Sequence, residues 1–427
     1  MADPGNRFYT EQKDIMTNDP RWEIDHQCPQ CGAPVILDET DRILACPYCR
    51  TKLYLVQAGG FGYYIPPGEM KGREIYYLPY WRIKGSHFCF RDRQIQFRFI
   101  DVSQKAVPIP IIPQSLGLRP QAMKLRFLTP DVAGIFLAPQ GHAIDALLPP
   151  GEFTGTDRTD FIGEMISLIY TPVYLKEKTL FDAVTQRPLN NMNNPDLLDN
   201  LPKMDPIKHA KIRFISTLCP QCGWNLEGEK DALSLGCNNC HTLWQCRQDR
   251  LEILACNISA STEPADLYLP FWRMKIKVAG FAVETYADLI RLANLPKVVT
   301  PEFESTPLYF WSPAFKINPA LYLRWTRLMT VSQPKVNQTR HADSVPIPAL
   351  HPVTLPLMEA FEGMRINIGQ LLSDKKRLLP SLAKANISLL ESDLVYEPFM
   401  RRNNELIHAT LGLTVDRNAL SLALHLS

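Results

Sequence analysis

Eight of the eleven cysteines fall into two sets with one shared spacing. Each set has two C-x-x-C pairs separated by fourteen residues, and its members are Cys28, Cys31, Cys46 and Cys49 in the first set and Cys219, Cys222, Cys237 and Cys240 in the second. A C-x-x-C turn presents two thiolates to the same ion, and two such turns complete a tetrahedral shell. The spacing therefore predicts two closed four-thiolate metal sites with no open position for a substrate.

The stretch C-N-N-C-H at 237–241 has the spelling of a c-type haem attachment site. His241 corresponds to Arg50 in the first set, and that copy keeps all four cysteines without a histidine. Haem would also leave Cys219 and Cys222 without partners, whereas zinc accounts for all eight cysteines. We therefore predict zinc, with His241 as a surface residue beside the turn.

The four-cysteine pattern resembles the zinc ribbon family of small β modules over about 35 residues per copy. This resemblance implies two Zn²⁺ ions per chain. Rubredoxin-like iron is the alternative, because iron also accepts four thiolates in a tetrahedron. The three remaining cysteines, Cys89, Cys246 and Cys256, have no counterparts, and we expect them to be small buried hydrophobic residues.

The chain contains an internal repeat that extends beyond the cysteines. All four cysteines recur with an offset of 191, and so does Y-L-P-Y-W-R at 77–82, which becomes Y-L-P-F-W-R at 268–273. A third landmark, L-I-Y-T-P-V at 168–173, resembles L-V-Y-E-P-F at 394–399 with an offset of 226. Two long units of this kind indicate tandem duplication rather than a solenoid, and the second copy contains an insertion.

These landmarks predict a β-rich α+β fold in which a zinc ribbon followed by a mostly antiparallel β domain occurs twice. Abundant proline, 36 of 427 residues, favours turns and short strands. The predicted segments are an N-terminal tail at 1–22, a zinc ribbon at 23–57, a β-rich domain at 58–189, a linker at 190–213, a second zinc ribbon at 214–257 and a second β-rich domain at 258–427. The second domain carries an insert near 333–390, with an exposed loop and one amphipathic helix after Leu355.

The segment Y-L-P-Y-W-R-I has apolar residues on both faces of a strand, so we expect both faces to be covered. Its internal Pro79 suggests a sheet edge or a strand start. Arg82 and Arg273 beside Trp81 and Trp272 would suit a platform for a ligand or for bases. Packing in the core, with the arginine at its boundary, is the favoured interpretation.

Charge and hydropathy exclude several classes of function. The formal net charge of +2 gives no global basic excess of the kind that nucleic-acid binding proteins show. No apolar run approaches the roughly 20 residues of a transmembrane helix, and the N-terminus lacks a signal-peptide pattern. We therefore expect a cytoplasmic protein, in a compartment where paired cysteines hold metal more often than they form disulfides.

The sequence has none of the common catalytic or nucleotide-binding motifs, such as G-x-S-x-G, the Walker loop, H-E-x-x-H or G-x-G-x-x-G. The first ribbon has three basic and five acidic side chains, and the matched window at 214–248 has two and three, so both are acidic even before the thiolates are counted. Acidic modules repel phosphate backbones. We thus expect a non-catalytic adaptor or scaffold that binds other proteins in a larger assembly through its β domains or its helical insert, with no small-molecule substrate. The alternatives are a nucleic-acid-associated zinc-ribbon regulator and a rubredoxin-like redox protein.

Metal analysis of the purified protein tests the metal prediction. We expect about two zinc ions per chain, one for each four-thiolate shell, and no Soret absorption band. Covalent haem on Cys237 and Cys240 would contradict the zinc interpretation, and a visible iron–thiolate spectrum would favour the rubredoxin-like alternative.

Overall fold

The computed structural model describes residues 22–57, 62–70, 72–91, 94–117, 124–143, 159–192, 196–206, 212–261, 264–336, 345–418 and 420. Strands dominate these ranges and form several mainly antiparallel sheets, which confirms the β-rich α+β class. None of the helices in these ranges has the length and apolarity that a bilayer span requires. The predicted tail at 1–22 lies outside the described residues except for Trp22.

The first half of the chain begins with four short strands around the first cysteine set. We call residues 23–57 the first cysteine module; its strands are β1 Glu23–Gln27, β2 Pro34–Asp38, β3 Ile43–Ala45 and β4 Lys52–Gln57. The first β domain and the residues after it contribute β5 Gly62–Tyr64, β6 Tyr76–Arg91, β7 Gln94–Lys105, β8 Arg126–Phe127, β9 Ile135–Leu137, β10 Thr159–Lys176, β11 Thr179–Asp182, β12 Pro188–Asn191, α1 Leu197–Asn200 and β13 Lys203–Met204.

The second half repeats this order and adds helices. Around the second cysteine module, residues 214–257, lie β14 Ile212–Ser216, β15 Leu226–Glu227, β16 Ser234–Cys237, β17 Leu243–Arg247 and β18 Arg250–Ile253. The second β domain contains β19 Asn257–Ile258, β20 Leu267–Val278, α2 Tyr286–Ala293, α3 Pro301–Ser305, β21 Phe310–Pro313, α4 Pro319–Ser332, a short 3-10 helix Ile347–Ala349, α5 Leu357–Glu362, α6 Met364–Leu371, α7 Lys375–Lys384, β22 Ile387–Arg402, β23 Glu405–His408 and β24 Thr414–Asp416.

Two long antiparallel strands form the centre of each β domain. Strand β6 pairs with β10, with Tyr80 opposite Ile169, and β20 pairs with β22, with Phe271 opposite Val395. These partners differ by 191 and 226, which are the two offsets of the sequence repeat. The conserved spacing of the landmarks therefore corresponds to one strand register that occurs in both domains.

Two local features of the long strands also coincide at the same offsets. Strands β10 and β22 each have a one-residue bulge, at positions 164 and 390. Asp182 and His408 each end a following strand, and the side chain of each accepts hydrogen bonds from two backbone N–H groups of the next turn. A bulge and a turn cap depend on backbone geometry, so the likeness of the two domains extends to their irregular positions.

The strand that contains Pro79 is central, so the prediction of a sheet edge is wrong. One side of β6 pairs with β10, while the other side pairs first with β9 at Tyr76 and Tyr77 and then with β7 from Tyr80 onward. Pro79 lies at this change of partner, and its carbonyl accepts from the Ala106 N–H at 2.9 Å on the same side. The missing proline N–H thus falls where no strand needs a donor. Both faces of this strand are buried, as predicted.

The helical insert contributes to the contact between the two β domains. The predicted single helix after Leu355 is interrupted at Gly363, which gives α5 and α6. A Cβ at Gly363 would lie 3.0 Å from Ile162 of β10, and one at Gly369 would lie 2.4 Å from the ring of Phe90. The side of the insert that carries Gly363 and Gly369 is therefore covered by the first β domain.

The segment that was predicted as a linker, 190–213, is partly integrated into the first half. Strand β13 pairs with β9, and Leu198 of α1 is buried in the first core. Strand β14 then pairs with β4 of the first cysteine module, with Phe214 opposite Leu55. The chain therefore enters the second cysteine module directly from a sheet that it shares with the first.

Arg82 connects the first cysteine module to the central strand of the first β domain. Its guanidinium is fully buried and donates two hydrogen bonds to Glu39, at 3.1 and 2.6 Å, and another to Asp101. The central carbon of this guanidinium, Cζ, lies 4.1 Å from the ring centroid of Trp22. Burial raises the pKa of the Glu39 carboxyl, and the charge of Arg82 opposes that shift. Arg82 thus belongs to the core, as the packing interpretation predicts.

The substitution Glu39→Gln tests this link. Because it leaves the buried guanidinium without its main counter-charge, we expect the free energy of unfolding to fall by about 3–5 kcal/mol in urea denaturation. Asp393→Asn is the matched control, because Asp393 pairs with Arg273 at 3.1 Å but is 40% exposed; we expect a loss of about 0–1 kcal/mol. Equal losses in the two variants would contradict the assigned role of Glu39.

Candidate metal centres

The structure brings each predicted cysteine set together at the ends of short hairpins. Turns after β1 and β3 carry the first set, and turns after β14 and β16 carry the second. The four sulfur atoms of each set lie within 4.8 Å of one another, whereas Cys89, Cys246 and Cys256 belong to neither group. All eight predicted ligands are therefore positioned for two separate ions.

The sulfur distances match a tetrahedral metal shell. Closest pairs are 3.7 Å apart in the first site and 3.5 and 3.4 Å apart in the second. A tetrahedron with metal–sulfur bonds of about 2.3 Å has edges of about 3.8 Å. A disulfide would need about 2.05 Å, and all eleven cysteines are free thiols. The donor set and its geometry thus fit a closed four-thiolate centre.

The backbone of all four turns has the same conformation. In each, the N–H of the residue after the second cysteine donates to the carbonyl of the first cysteine, at 2.8 or 2.9 Å. That residue has a left-handed φ in every turn: +73° at Gly32 and Gly223, +60° at Arg50 and +54° at His241. Glycine adopts this conformation without strain, whereas arginine and histidine do so at some cost. His241 therefore holds the turn position that Arg50 holds in the first module, and it is half-buried rather than fully exposed.

Local hydrogen bonds lower the pKa of one thiol in each site. Thr51 lowers the pKa of Cys49 to about 6 through its hydroxyl and backbone N–H, and Asn239 and the Trp224 backbone N–H lower that of Cys222 to about 6. Burial raises the pKa of Cys237 to about 12. A metal ion must therefore displace protons from the less acidic thiols when it binds.

The two cysteine modules pack against each other. Two ligands of the second site, Cys219 and Cys237, share a buried apolar cluster with Ile43 and Tyr54 of the first module. The backbone N–H groups of Arg42 and Ile43 also donate to the carbonyl of Lys230, at 2.6 and 2.9 Å. The first module thus forms part of the wall of the second metal site.

Ion pairs between the modules neutralise some of their acidic side chains. Lys52 contacts Glu227 at 2.7 Å, and Lys230 contacts Asp41 at 3.6 Å. These pairs are largely solvent-exposed, apart from the buried carboxylate of Asp41, so each contributes little to stability. Their main consequence is that these acidic side chains near the metal sites are paired with lysines of the same chain.

A buried polar cluster in the second β domain contains a serine, a glutamate and a histidine. Ser259 donates to Glu397 at 2.7 Å, and Nε2 of His408 lies 3.1 Å from the same carboxylate. Because Nδ1 of His408 accepts from backbone N–H groups, the imidazole proton is on Nε2 and is donated to Glu397. The serine hydroxyl donates to the carboxylate and not to the imidazole. This arrangement therefore does not activate Ser259 as a nucleophile.

A cleft of about 920 Å³ separates the second cysteine module from the second β domain. Its walls include Cys246 and Ile253 of the module, Trp272 of β20 and Met358 of α5. Ile253 and Met358 are 60% and 57% exposed, which is high for large apolar side chains. Both α5, part of the insert, and the β17–β18 hairpin line this cleft.

Comparison with known proteins identifies no relative: no family model, curated protein or solved structure matches the chain.

The variants Cys28→Ser and Cys219→Ser test the metal centres. We expect each to lose the metal of its own site, because a serine hydroxyl is a poor substitute for a thiolate ligand. Cys219→Ser should also expose the module interface to protease, since Cys219 packs beside Ile43. Plasma mass spectrometry and limited proteolysis measure both effects. Cys246→Ser is the matched control, and unchanged metal content in the two ligand variants would contradict the assignment.

Proposed function

We propose that both cysteine modules are zinc ribbons and that each holds one structural Zn²⁺. Support comes from the four-thiolate donor sets, the tetrahedral spacing and the absence of an open coordination position in either set. A module of about 35 residues has little core of its own, so metal binding would supply much of its folding free energy. Zinc would thus act in folding, and a reducing compartment such as the cytoplasm would keep the ligands available.

We further propose that the two halves arose by tandem duplication. The strand registers, the bulges and the turn caps recur at the offsets of the sequence repeat. On this proposal, the insertion in the second half arose after the duplication. It contributes α5, which forms one wall of the cleft. On this account, the second copy gained a concave surface together with its insert.

We infer that the protein is a non-catalytic adaptor that binds another protein through this cleft. The observation that carries the inference is a pair of exposed apolar side chains, Ile253 of β18 and Met358 of α5, that line one cleft. Exposed apolar surface of this kind is typical of protein interaction sites. The ligand that we infer is an extended segment of a partner protein, with apolar side chains that would pack against Ile253 and Met358. The acidic cysteine modules beside it disfavour nucleic acid as the ligand.

Affinity purification with matched variants tests the adaptor function. The double variant Ile253→Asp/Met358→Asp places two carboxylates in the cleft, and we expect at least a tenfold loss of affinity for the true partner, about 1.4 kcal/mol or more. Leu390→Asp is the control, because Leu390 is also about half exposed but does not line the cleft.

The supporting result is a co-purifying protein that is lost in the double variant, is retained in the control and binds directly when both proteins are purified. Retention of every partner by the double variant would contradict docking in the cleft. Salt-sensitive binding of DNA or RNA in its place would favour the nucleic-acid alternative.

A further inference from the structure

Strand β7 is a long, regular strand at the edge of the first β domain. Its twelve residues pair with β6 from Gln94 to Lys105 without a bulge, and residues 94–102 contain neither proline nor glycine. Within the described part of the chain, β6 is the only strand that pairs with β7. Bulges, prolines, short lengths and charged side chains are the usual devices that protect such an edge from pairing with another chain. Residues 94–102 have no bulge and no proline, and Arg98 and Asp101 are their only charged side chains.

Four consecutive residues of this edge are exposed on both faces of the sheet. Gln96 and Arg98 point to one face, and Phe97 and Phe99 point to the other, with the two phenylalanines 43% and 44% exposed. The Phe97 ring lies 6.1 Å from that of Phe88, which is buried in the core between the domains. The exposed aromatic pair therefore continues a buried apolar layer out to the edge of the sheet.

The described strands of the second β domain include no counterpart of this exposed stretch. Strand β21 pairs only with Phe271–Met274, which correspond to Tyr80–Ile83, so it matches residues 102–105 of β7 and not residues 94–101. It is entirely buried, and α4 follows it and packs against it. The two domains otherwise share their central strand register, so the open edge is particular to the first. Among the described residues, a strand edge with two exposed phenylalanines at this position thus occurs only in the first domain.

We propose that β7 pairs with β7 of a second copy of this chain, antiparallel and with the two-fold axis at Phe97. In a continuous sheet, residues opposite each other must lie on the same face, which restricts the axis to a residue position. With the axis at Phe97, the two Phe97 side chains meet and Ile95 faces Phe99 of the second copy. An axis at Arg98 would oppose two like charges, and an axis at Phe99 would place Phe97 against Asp101.

Charge and side-chain size also fit a second copy. Residues 94–102 contain one arginine and one aspartate, so two such edges do not repel each other. With the axis at Phe97, Arg98 faces Gln96, and no charged side chain opposes a like charge. Aromatic pairs across antiparallel strands are among the favourable cross-strand contacts. Because one strand edge buries less area than a standard interface, we expect a dissociation constant of roughly 1–100 µM.

Sedimentation velocity and light scattering from about 1 to 100 µM test the proposal. The full chain should change from a 48.6 kDa monomer to a dimer as its concentration rises. Phe97→Lys should raise the dissociation constant at least about tenfold, because it places two ammonium groups side by side. Leu218→Lys is the control, since Leu218 is an equally exposed apolar residue of the second cysteine module. A monomer at all concentrations, or a dimer that Phe97→Lys leaves intact, would overturn the proposal.

The register is tested separately by substitutions at Gln96. Gln96→Glu would place a carboxylate opposite Arg98 of the second copy and should tighten the dimer about twofold to tenfold, whereas Gln96→Lys should weaken it by a similar factor. Both variants change only an exposed side chain, so loss of folding does not confound them. If both variants weaken the dimer equally, or neither has an effect, the register at Phe97 is wrong.

Discussion

The contact between the two cysteine modules determines much of the rest of the structure. Each module alone is too small to form a core, and the apolar cluster around Cys219 and Cys237 is completed by Ile43 and Tyr54 from the other module. The strand pair β4–β14 joins the same two modules through the backbone. Because Cys219 and Cys237 lie inside this shared cluster, we expect metal binding at the second site and association of the modules to depend on each other.

The two halves use different means to hold their cysteine modules to the β domains. In the first half, the buried pair of Arg82 and Glu39 makes the connection. In the second, Arg273 pairs with the more exposed Asp393, and residues of the insert make the connection instead: Val353 exchanges hydrogen bonds with Leu233 and Ser234. One strand register thus accommodates an ionic contact in one copy and a helical insert in the other.

Local signals in the sequence predicted the two four-cysteine groups and the β-rich class. Cysteine spacing predicts a metal site because the ligands of one turn are neighbours in sequence, and the repeat offsets reappear as strand register. Contacts between distant segments were missed. Neither the pairing of β4 with β14 nor the covering of Gly363 and Gly369 by the first β domain has a local signature. Pro79 was misread because its missing donor falls at a change of strand partner, which depends on tertiary structure.

The sequence also left the binding surfaces undefined, since exposure is a property of the fold. Ile253, Met358, Phe97 and Phe99 look like ordinary core residues in the sequence, and only the structure exposes them. The open edge belongs to the first half of the chain, and most of the cleft belongs to the second half. The two halves therefore present different surfaces.

X-ray absorption at the zinc edge of the native protein tests the central claim most directly, namely that each cysteine set forms a closed four-thiolate zinc centre. The account predicts a single shell of four sulfur atoms at about 2.3 Å and no nitrogen or oxygen ligand. A mixed shell, with nitrogen or oxygen in place of any sulfur, or absorption at the iron edge instead of the zinc edge, would contradict it.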